Sequence, residues 1–235
     1  MKVCLLALTG FGNTVLEALR KSVHVQGLLV FTRREKGDFP YYPCAQLTEL
    51  CSKAQISCYD DRKLTSRETY GQILDFLPDL ILVATFDQKI PPEIMKIPRL
   101  GAVNIHPSLL PQYRGPCPTH WAVIHGEKET GITFHQVTEG YDLGEILYQR
   151  RIEIDELTDG ELRQKLAQLA GECLEGFLAA YLHGKLKPLG QDPEQGSYFP
   201  KITSKEGIYL LKSGRFPMDC LIRGLHPYPG MGIIE

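Results

Sequence analysis

Short, predominantly apolar runs alternate with segments of helical spacing through the first half of the chain. Such runs cover residues 3–8, 25–31 and 80–84, and a further one leads into Asn104. Runs of this length between turns are typical of parallel strands that are buried on both faces. Strand alternating with helix therefore predicts an α/β fold built on a Rossmann-like, doubly wound and mostly parallel sheet.

The alternation changes in the second half of the chain. Residues 132–137 and 146–154 have the pattern of strands without a long helix between them, which predicts a two-strand extension that could run antiparallel. Thr158 and Glu161 form a capping box that opens a long helix, and Gly184 closes it. We expect a catalytic domain over residues 1–190, followed over 191–235 by a linker and a short C-terminal extension with a helix near 216–223.

Composition excludes several classes of protein. The 235 residues carry a formal net charge of -2, so the broad basic field of many nucleic-acid-binding proteins is absent. No apolar run is long enough for a signal peptide or a membrane span. The seven cysteines are odd in number and include no C-x-x-C pair, which favours free thiols over disulfides or a metal site. We expect a cytoplasmic protein without a metal or a membrane partner.

Three polar side chains are specified closely by the residues around them. Asn104 and His106 are two apart at the end of an apolar run, so on a strand they point to the same face. Pro107 cannot donate to a sheet ladder and should end that strand. Asp142 follows between Gly140 and Gly144. The alternatives are a hydrogen-bonded strand end with an Asp turn, or a site in the crevice where open α/β sheets bind ligands.

The first turn and the remaining histidines are less specific. The turn at residues 10–15 resembles a dinucleotide fingerprint but has Val15 where a third glycine belongs, and no acidic residue follows the second strand. A nucleotide cofactor is therefore not expected, whereas a structural turn and an anion site on the helix N-terminus both stay open. His120 and His135 are open between structure and function. A structural role is expected for His24, His125, His183 and His226.

The motif over residues 104–115, Asn-x-His-x-Ser-Leu-Leu-Pro-x-Tyr-Arg-Gly, is followed by Gly-Ile-Thr at 131–133 and by Gly-x-Asp-x-Gly at 140–144. This combination resembles the 10-formyltetrahydrofolate-dependent formyltransferase family, which includes methionyl-tRNA formyltransferases and sugar N-formyltransferases. The resemblance covers most of residues 1–190 and implies the formyltransferase fold. Residues 222–230 resemble the linker that leads into a C-terminal barrel in some members, but a complete barrel is not present in this sequence.

The resemblance implies transfer of a formyl group from 10-formyltetrahydrofolate to a primary amine. Asn104 would donate to the oxyanion, His106 would donate to it or move the proton, and Asp142 would orient and stabilise His106. The folate pterin would lie against the backbone of Thr85, Phe86, Asp87, Gln88, Lys89, Ile90, Thr138, Glu139, Gly140 and Tyr141. The acceptor would lie near Gly10, Phe11, Gly12, Asn13, Ser108, Tyr113, Arg114 and Gly115.

The acceptor is the least specified part of the prediction. An acidic chain without the barrel offers few phosphate contacts to a tRNA, which favours a small amine such as a nucleotide-linked amino sugar. Methionyl-tRNA, hydrolysis by water and a non-catalytic folate-binding module are the alternatives. In the loop at 33–43, Phe39, Tyr41 and Tyr42 could pack on a sugar or base, or simply on the sheet. The sequence leaves the oligomeric state open.

Overall fold

A computed structural model describes residues 1–230 of the chain, with only the backbone of Pro193, so the last five residues of the predicted extension lie outside it. Its strands, in chain order, are β1 Lys2–Ala7, β2 Gly27–Thr32, β3 Ser57–Asp60, β4 Leu80–Ala84, β5 Ala102–His106, β6 Glu129–Gln136 and β7 Ile146–Glu153. Its helices are α1 Phe11–Lys21, α2 Leu47–Lys53, α3 Arg67–Phe76, α4 Pro92–Met95, α5 Pro118–Ile124, α6 Asp159–Leu182, α7 Ser204–Ser213 and α8 Met218–Gly224.

All seven strands form one sheet in the order β3-β2-β1-β4-β5-β6-β7. Strands β1 to β5 run parallel, whereas β6 pairs antiparallel with both β5 and β7. The predicted doubly wound sheet with a two-strand extension is therefore confirmed. The strand order reverses between β1 and β4, and ligands of open α/β sheets bind outside the carboxyl ends of the strands at such a point.

Helices cover both faces of the sheet, as expected for strands that are apolar on both sides. On one face α1 and α6 pack on the central strands, with Leu16, Leu174 and Phe134 in their shared core. On the other face Ile73 of α3 and Ile94 of α4 lie in a second core. None of the helices described between residues 1 and 230 is long and apolar enough to cross a membrane.

The C-terminal part contains one helix that the sequence analysis did not predict. Helix α7 begins after Thr203, whose side chain forms a capping box with Glu206. The predicted helix near 216–223 is confirmed as α8. Both helices pack beside α5 in a third apolar cluster that includes Trp121, Leu210 and Leu221.

Contacts cross the predicted boundary at residue 190. Just before this boundary Leu189 pairs with Ile146 at the edge of β7, and beyond it the N–H of Ser197 donates to the Pro111 carbonyl at 3.2 Å. The indole nitrogen of Trp121 donates to the Pro200 carbonyl at 2.9 Å. The segment from 189 to 200 therefore runs back along the strand ends instead of leaving the domain.

We expect opposite effects from adding one methyl group at two glycines. A Cβ at Gly131 in β6 would collide with the Arg150 carbonyl of the paired strand, so Gly131→Ala should lower the free energy of unfolding by about 1–3 kcal/mol. Gly176 lies on the outer face of α6 with open space around it, and Gly176→Ala should raise that free energy by about 0.5–1 kcal/mol. Urea unfolding at pH 7.5 measures both, and equal effects would contradict the β6–β7 register.

Candidate active site

Two neighbouring strands bring three polar side chains to one face of the sheet. Asn104 and His106 lie on the same face of β5, with Asn104 next to Val83 of the parallel β4. On the antiparallel side Asn104 lies directly opposite His135 of β6. Residues opposite each other in an antiparallel pair share a face, so His135 joins the predicted pair. His106 is the last residue of β5, as expected from Pro107.

The loop after β6 brings Asp142 to these side chains. Its backbone is left-handed, with a φ of 54°. A Cβ at Gly144 would collide with the Gln136 carbonyl, so glycine allows the loop to return close to the strand. The Oδ1 atom of Asp142 lies 3.6 Å from Nδ1 of His106 and 3.5 Å from Nε2 of His135. Its Oδ2 atom accepts the N–H of Gly115 at 2.9 Å.

The surroundings of Asp142 and His106 determine the charge of both side chains at neutral pH. Burial raises the pKa of Asp142, but the facing rings of His106 and His135 and the Gly115 N–H outweigh that effect and hold it well below its usual range. For His106, burial lowers the pKa, and the Asp142 carboxylate and the Tyr113 carbonyl offset only part of the shift. The site therefore contains an ionised carboxylate beside a neutral imidazole.

Hydrogen-bond partners assign the protons on both rings. Nε2 of His106 lies 2.8 Å from the Tyr113 carbonyl, and Nδ1 of His135 lies 2.9 Å from the Gln136 carbonyl. Because a carbonyl only accepts, each of these nitrogens carries the proton. The other nitrogen of each ring then faces the Asp142 carboxylate. Protonation of His106 at Nδ1 would convert that contact into an ion pair.

The amide of Asn104 is held by the same groups. Its Nδ2 atom lies 3.1 Å from Nε2 of His135 and 3.4 Å from Oδ1 of Asp142. Since Nε2 of His135 accepts, the amide nitrogen donates to it, and this contact sets the orientation of the amide. The longer contact to Asp142 is weak, so that hydrogen is the one available to an incoming oxygen.

The residues after β5 contribute to the site through their backbone. The carbonyl of Tyr113 and the N–H of Gly115 bind His106 and Asp142, whereas the Tyr113 hydroxyl donates to Glu127 at 2.6 Å. The Arg114 side chain is buried and donates to Gln191. Ser108 is also buried, and its hydroxyl donates to the Gln112 carbonyl at 2.8 Å. In this structure these side chains support the loop, and their predicted contact with the acceptor stays a prediction.

Gln191 is a contributor that the sequence analysis did not single out. Its Nε2 atom donates to the carbonyls of Asp142 and Gly144, at 2.8 and 2.7 Å. Its Oε1 atom accepts from the Arg114 guanidinium at 2.8 and 3.1 Å. One amide thus joins the loop that carries Asp142 to the loop that carries Gly115. A lone glutamine in a polar segment gives no signal of this role in the sequence.

The two predicted walls of the folate site lie next to each other. Lys89 places its ammonium 5.9 Å from the centre of the Tyr141 ring, which links the loop at 85–90 to the loop at 138–142. Gln88 fixes the first loop by accepting from the Leu64 N–H and donating to the Arg62 carbonyl. Among residues 1–230, the backbone groups of 86–90 bond to no other backbone group, so they are available to a ligand.

The first turn is covered by the loop that follows β2. Gly10 has a φ of 93°, and the Phe39 ring packs where a Cβ would stand. Phe11 and Gly12 are buried behind it, and Asn13 donates to the Ala45 carbonyl at 2.7 Å. Phe39 therefore shields Gly10 from an anion in this structure. The predicted contact of residues 10–13 with the acceptor stays a prediction.

A family model described as Formyl transferase matches residues 1–177, three quarters of the chain and every strand of the sheet. The chain therefore belongs to the formyl transferase family, and the resemblance found in the motifs is confirmed. Members of this family transfer formyl groups, so the protein is an enzyme of this kind.

Individual relatives differ in the acceptor that their names state. The methionyl-tRNA formyltransferase of Enterococcus faecalis is 32% identical over 97% of this chain and 74% of its own length. That of Caldanaerobacter subterraneus subsp. tengcongensis is 42% identical over 69% of this chain, but the match spans only 53% of that enzyme. The fold is also that of a Helicobacter canadensis N-formyltransferase solved with folinic acid and dTDP-3-aminofucose, with 19% identity, a TM-score of 0.70, and coverage of 95% of this chain and 80% of that one.

The lowered pKa of His106 should make stability depend on pH. Below the unfolded pKa of about 6.5 the unfolded chain binds a proton that the folded site resists, so stability falls with falling pH by up to about 1.4 kcal/mol per unit for one proton. Asp142 does not contribute to the pH dependence in this range. Its pKa is about 3.9 in the unfolded chain and lower in the folded protein, so it is ionised in both states above about pH 5. His106→Gln should reduce the slope of unfolding free energy between pH 7.0 and 5.5.

His120 provides the internal control for this experiment. Burial also lowers its pKa, so it should account for part of the slope that His106→Gln retains. Urea unfolding of His106→Gln, of His120→Gln and of the double variant separates the contributions of the two histidines to the pH dependence of stability. A slope that is the same in His106→Gln and in the unmodified protein would contradict the neutral state of His106.

Proposed function

We propose that this enzyme moves the formyl group of 10-formyltetrahydrofolate to a primary amine on a small acceptor, such as a nucleotide-linked amino sugar. The observation that carries the proposal is the cluster of Asn104, His106, His135 and Asp142 outside the carboxyl end of β5. It offers an amide donor and a neutral imidazole, each within 3.6 Å of one ionised carboxylate. Family membership supplies the reaction type, and the site supplies residues suited to it.

The path of the proton during the reaction follows from the assigned tautomer of His106, in which Nδ1 is unprotonated. The amine nitrogen bonds to the formyl carbon, and the formyl oxygen takes the negative charge. The amine loses its proton to Nδ1 of His106, directly or through a water, and the imidazolium formed then pairs with Asp142. When the intermediate collapses, the bond from carbon to N10 of the folate breaks, and N10 takes the proton back. Asp142 stays ionised throughout and stabilises the charged ring.

Asn104 stabilises the negative charge that develops on the formyl oxygen. The Nδ2 hydrogen that makes the weak 3.4 Å contact with Asp142 turns towards the developing oxyanion, while the contact with His135 holds the amide in place. His135 is thus a positioning residue. Catalytic hydrogen bonds are often long before substrate binds, so the observed distance is compatible with this role.

For the donor, we place the pterin between the loops at 85–90 and 138–142. The backbone groups of 86–90, which bond to no other backbone group of residues 1–230, would supply donors and acceptors to the pterin edge. Lys89 and Tyr141 lie at the outer end of this cleft, where both side chains are exposed. The folate-bound structure of the Helicobacter canadensis protein, which has the same fold, is compatible with a folate donor.

The packing of the loop at 33–43 supports a small acceptor. Phe39 covers Gly10, and the Tyr41 ring packs on the guanidinium of Arg163, so this side of the site is narrowed by aromatic rings. Methionyl-tRNA is the second candidate, because the Enterococcus faecalis enzyme is 32% identical over 97% of this chain. Hydrolysis by water is the third possibility. A non-catalytic folate-binding module is disfavoured, because it needs no neutral imidazole beside an ionised carboxylate.

A direct comparison of acceptors tests the proposal. The enzyme is incubated with 10-formyltetrahydrofolate and, separately, nucleotide-linked 3-amino sugars, 4-amino sugars, methionyl-tRNA or water alone. We expect release of tetrahydrofolate and a formylated product with an amino sugar. Formylation of methionyl-tRNA alone would show that the acceptor is a tRNA and that the reaction type is correct. Release of tetrahydrofolate with water alone would show that the enzyme hydrolyses the donor instead of transferring its formyl group.

We expect Asn104→Ala to lower kcat by about 10²–10³, the usual cost of losing an oxyanion donor. Asn104→Asp should lower kcat similarly, because it keeps the size of the side chain and removes the donor. Asp142→Ala should also lower kcat by orders of magnitude, since the imidazolium loses its counter-ion. Near-normal turnover in Asn104→Ala or Asp142→Ala would contradict the assignment.

Binding of the donor should be separable from catalysis. A non-reactive folate analogue at saturating concentration should raise the unfolding temperature, since a ligand that binds only the folded state stabilises it by mass action. Asn104→Ala should keep this increase, because the proposed pterin contacts are made by other residues. Thermal unfolding with and without the analogue measures both, and no increase in the unmodified protein would count against folate.

A further inference from the structure

Arg163 lies outside the catalytic cluster and is held rigidly near the start of α6. It occupies the second turn of α6, where its Nε atom donates to Oδ2 of Asp159 at 2.6 Å. Its guanidinium stacks on the Tyr41 ring, 4.1 Å from the ring centre. Asp159 is fully buried and also faces Nδ1 of His120 at 3.1 Å. Arginine is always charged and Asp159 lies beneath it, so the group is oriented before any ligand arrives.

The terminal nitrogens of Arg163 are not used by the fold. Among residues 1–230, neither finds an acceptor, although 18% of the side-chain surface remains exposed. A guanidinium that served packing alone would need only the ion pair and the stacked ring. The two terminal nitrogens form the edge that binds phosphate oxygens in a bidentate manner.

Further donors lie beside this edge. Cys117 lies in the same apolar cluster as Ile202, which directly follows Lys201 in the chain. Burial raises the pKa of the Cys117 thiol, and the charges of Arg163 and Lys201 lower it in part, which agrees with this placement. Lys201 is exposed and forms no ion pair with residues 1–230. Burial also raises the pKa of Tyr41 to about 12, so its hydroxyl remains a donor at neutral pH.

This group of donors lies close to the catalytic cluster. The Gly115 N–H binds Asp142, and Cys117 is only two residues further along the chain, a span of at most about 7 Å. Asp159, the partner of Arg163, faces His120 in the first turn of α5, so Arg163 lies beside the helix that follows this loop.

We propose that Arg163, together with Lys201 and the Tyr41 hydroxyl, binds the phosphate groups of the acceptor, which is then a phosphorylated amine such as a nucleoside-diphosphate-linked amino sugar. The assignment rests on the proposed function and names its substrate class. One arginine and one lysine match a single diphosphate. A tRNA needs several phosphate contacts spread along its backbone, which these residues do not supply.

Binding of thymidine 5′-diphosphate and of inorganic pyrophosphate, measured by calorimetry, tests the site without any turnover. Arg163→Met should weaken both by on the order of tenfold to a hundredfold, because charge-assisted hydrogen bonds are lost. Arg163→Lys keeps the charge and loses the bidentate edge, so binding should fall by less. Lys201→Ala should weaken binding in the same direction. Lys205→Ala, an exposed lysine of α7, is the matched control and should change nothing.

Kinetics provide the second measurement. With an accepted amino sugar, Arg163→Met should raise the acceptor KM in proportion to the loss of binding, with kcat and the donor KM nearly unchanged. If Arg163→Met fails to fold because Asp159 is left unpaired, Arg163→Lys and Lys201→Ala still decide the matter. Unchanged diphosphate binding in both would overturn the proposal, as would an Arg163-dependent affinity for a tRNA acceptor-stem hairpin without affinity for the diphosphate.

The design separates this proposal from the one on which it rests. If diphosphate binding depends on Arg163 but no amine is ever formylated, the phosphate site holds and formyl transfer fails. If an amine is formylated with the same KM in Arg163→Met and in the unmodified enzyme, formyl transfer holds and the phosphate site fails.

Discussion

The hydrogen bond from the Gly115 N–H to the Asp142 carboxylate is the contact on which the site depends. It fixes one oxygen of a largely buried carboxylate, and the other oxygen then lies between His106, His135 and Asn104. The antiparallel β6 ends beside Val103 near the start of β5, and the loop that follows it folds back so that Asp142 reaches Asn104, His106 and Gly115. This one hydrogen bond therefore depends on the sheet register and on the conformation of the loop, and it helps to keep Asp142 ionised.

Much of the frame could be predicted from the sequence, because its signals are local. Apolar runs between turns identify buried strands, and the period of two places Asn104 and His106 on one face. Pro107 predicts the end of β5, and Thr158 with Glu161 predicts the start of α6. Family membership follows from the same local motifs.

The rest of the site depends on contacts between residues far apart in the sequence. His135 could be placed only once the β5–β6 register was known, because one step of slip would turn it to the other face. Tyr113 and Gly115 act through backbone groups, which carry no residue signature. Gln191 acts across 47 to 77 positions of the chain. Helix α7, by contrast, does have a local signal in the sequence, because Thr203 and Glu206 form the same capping pattern as Thr158 and Glu161 at the start of α6.

The return of the chain beyond Leu189 sets a limit on how the enzyme can be divided. A protein engineer guided by the family motif could end an expressed fragment at residue 190 and keep every predicted catalytic residue. That fragment would lack the Gln191 amide, and the loops carrying Asp142 and Gly115 would lose their common support. The smallest useful piece for swapping catalytic domains between family members therefore extends at least through Pro200, whose carbonyl binds the Trp121 indole.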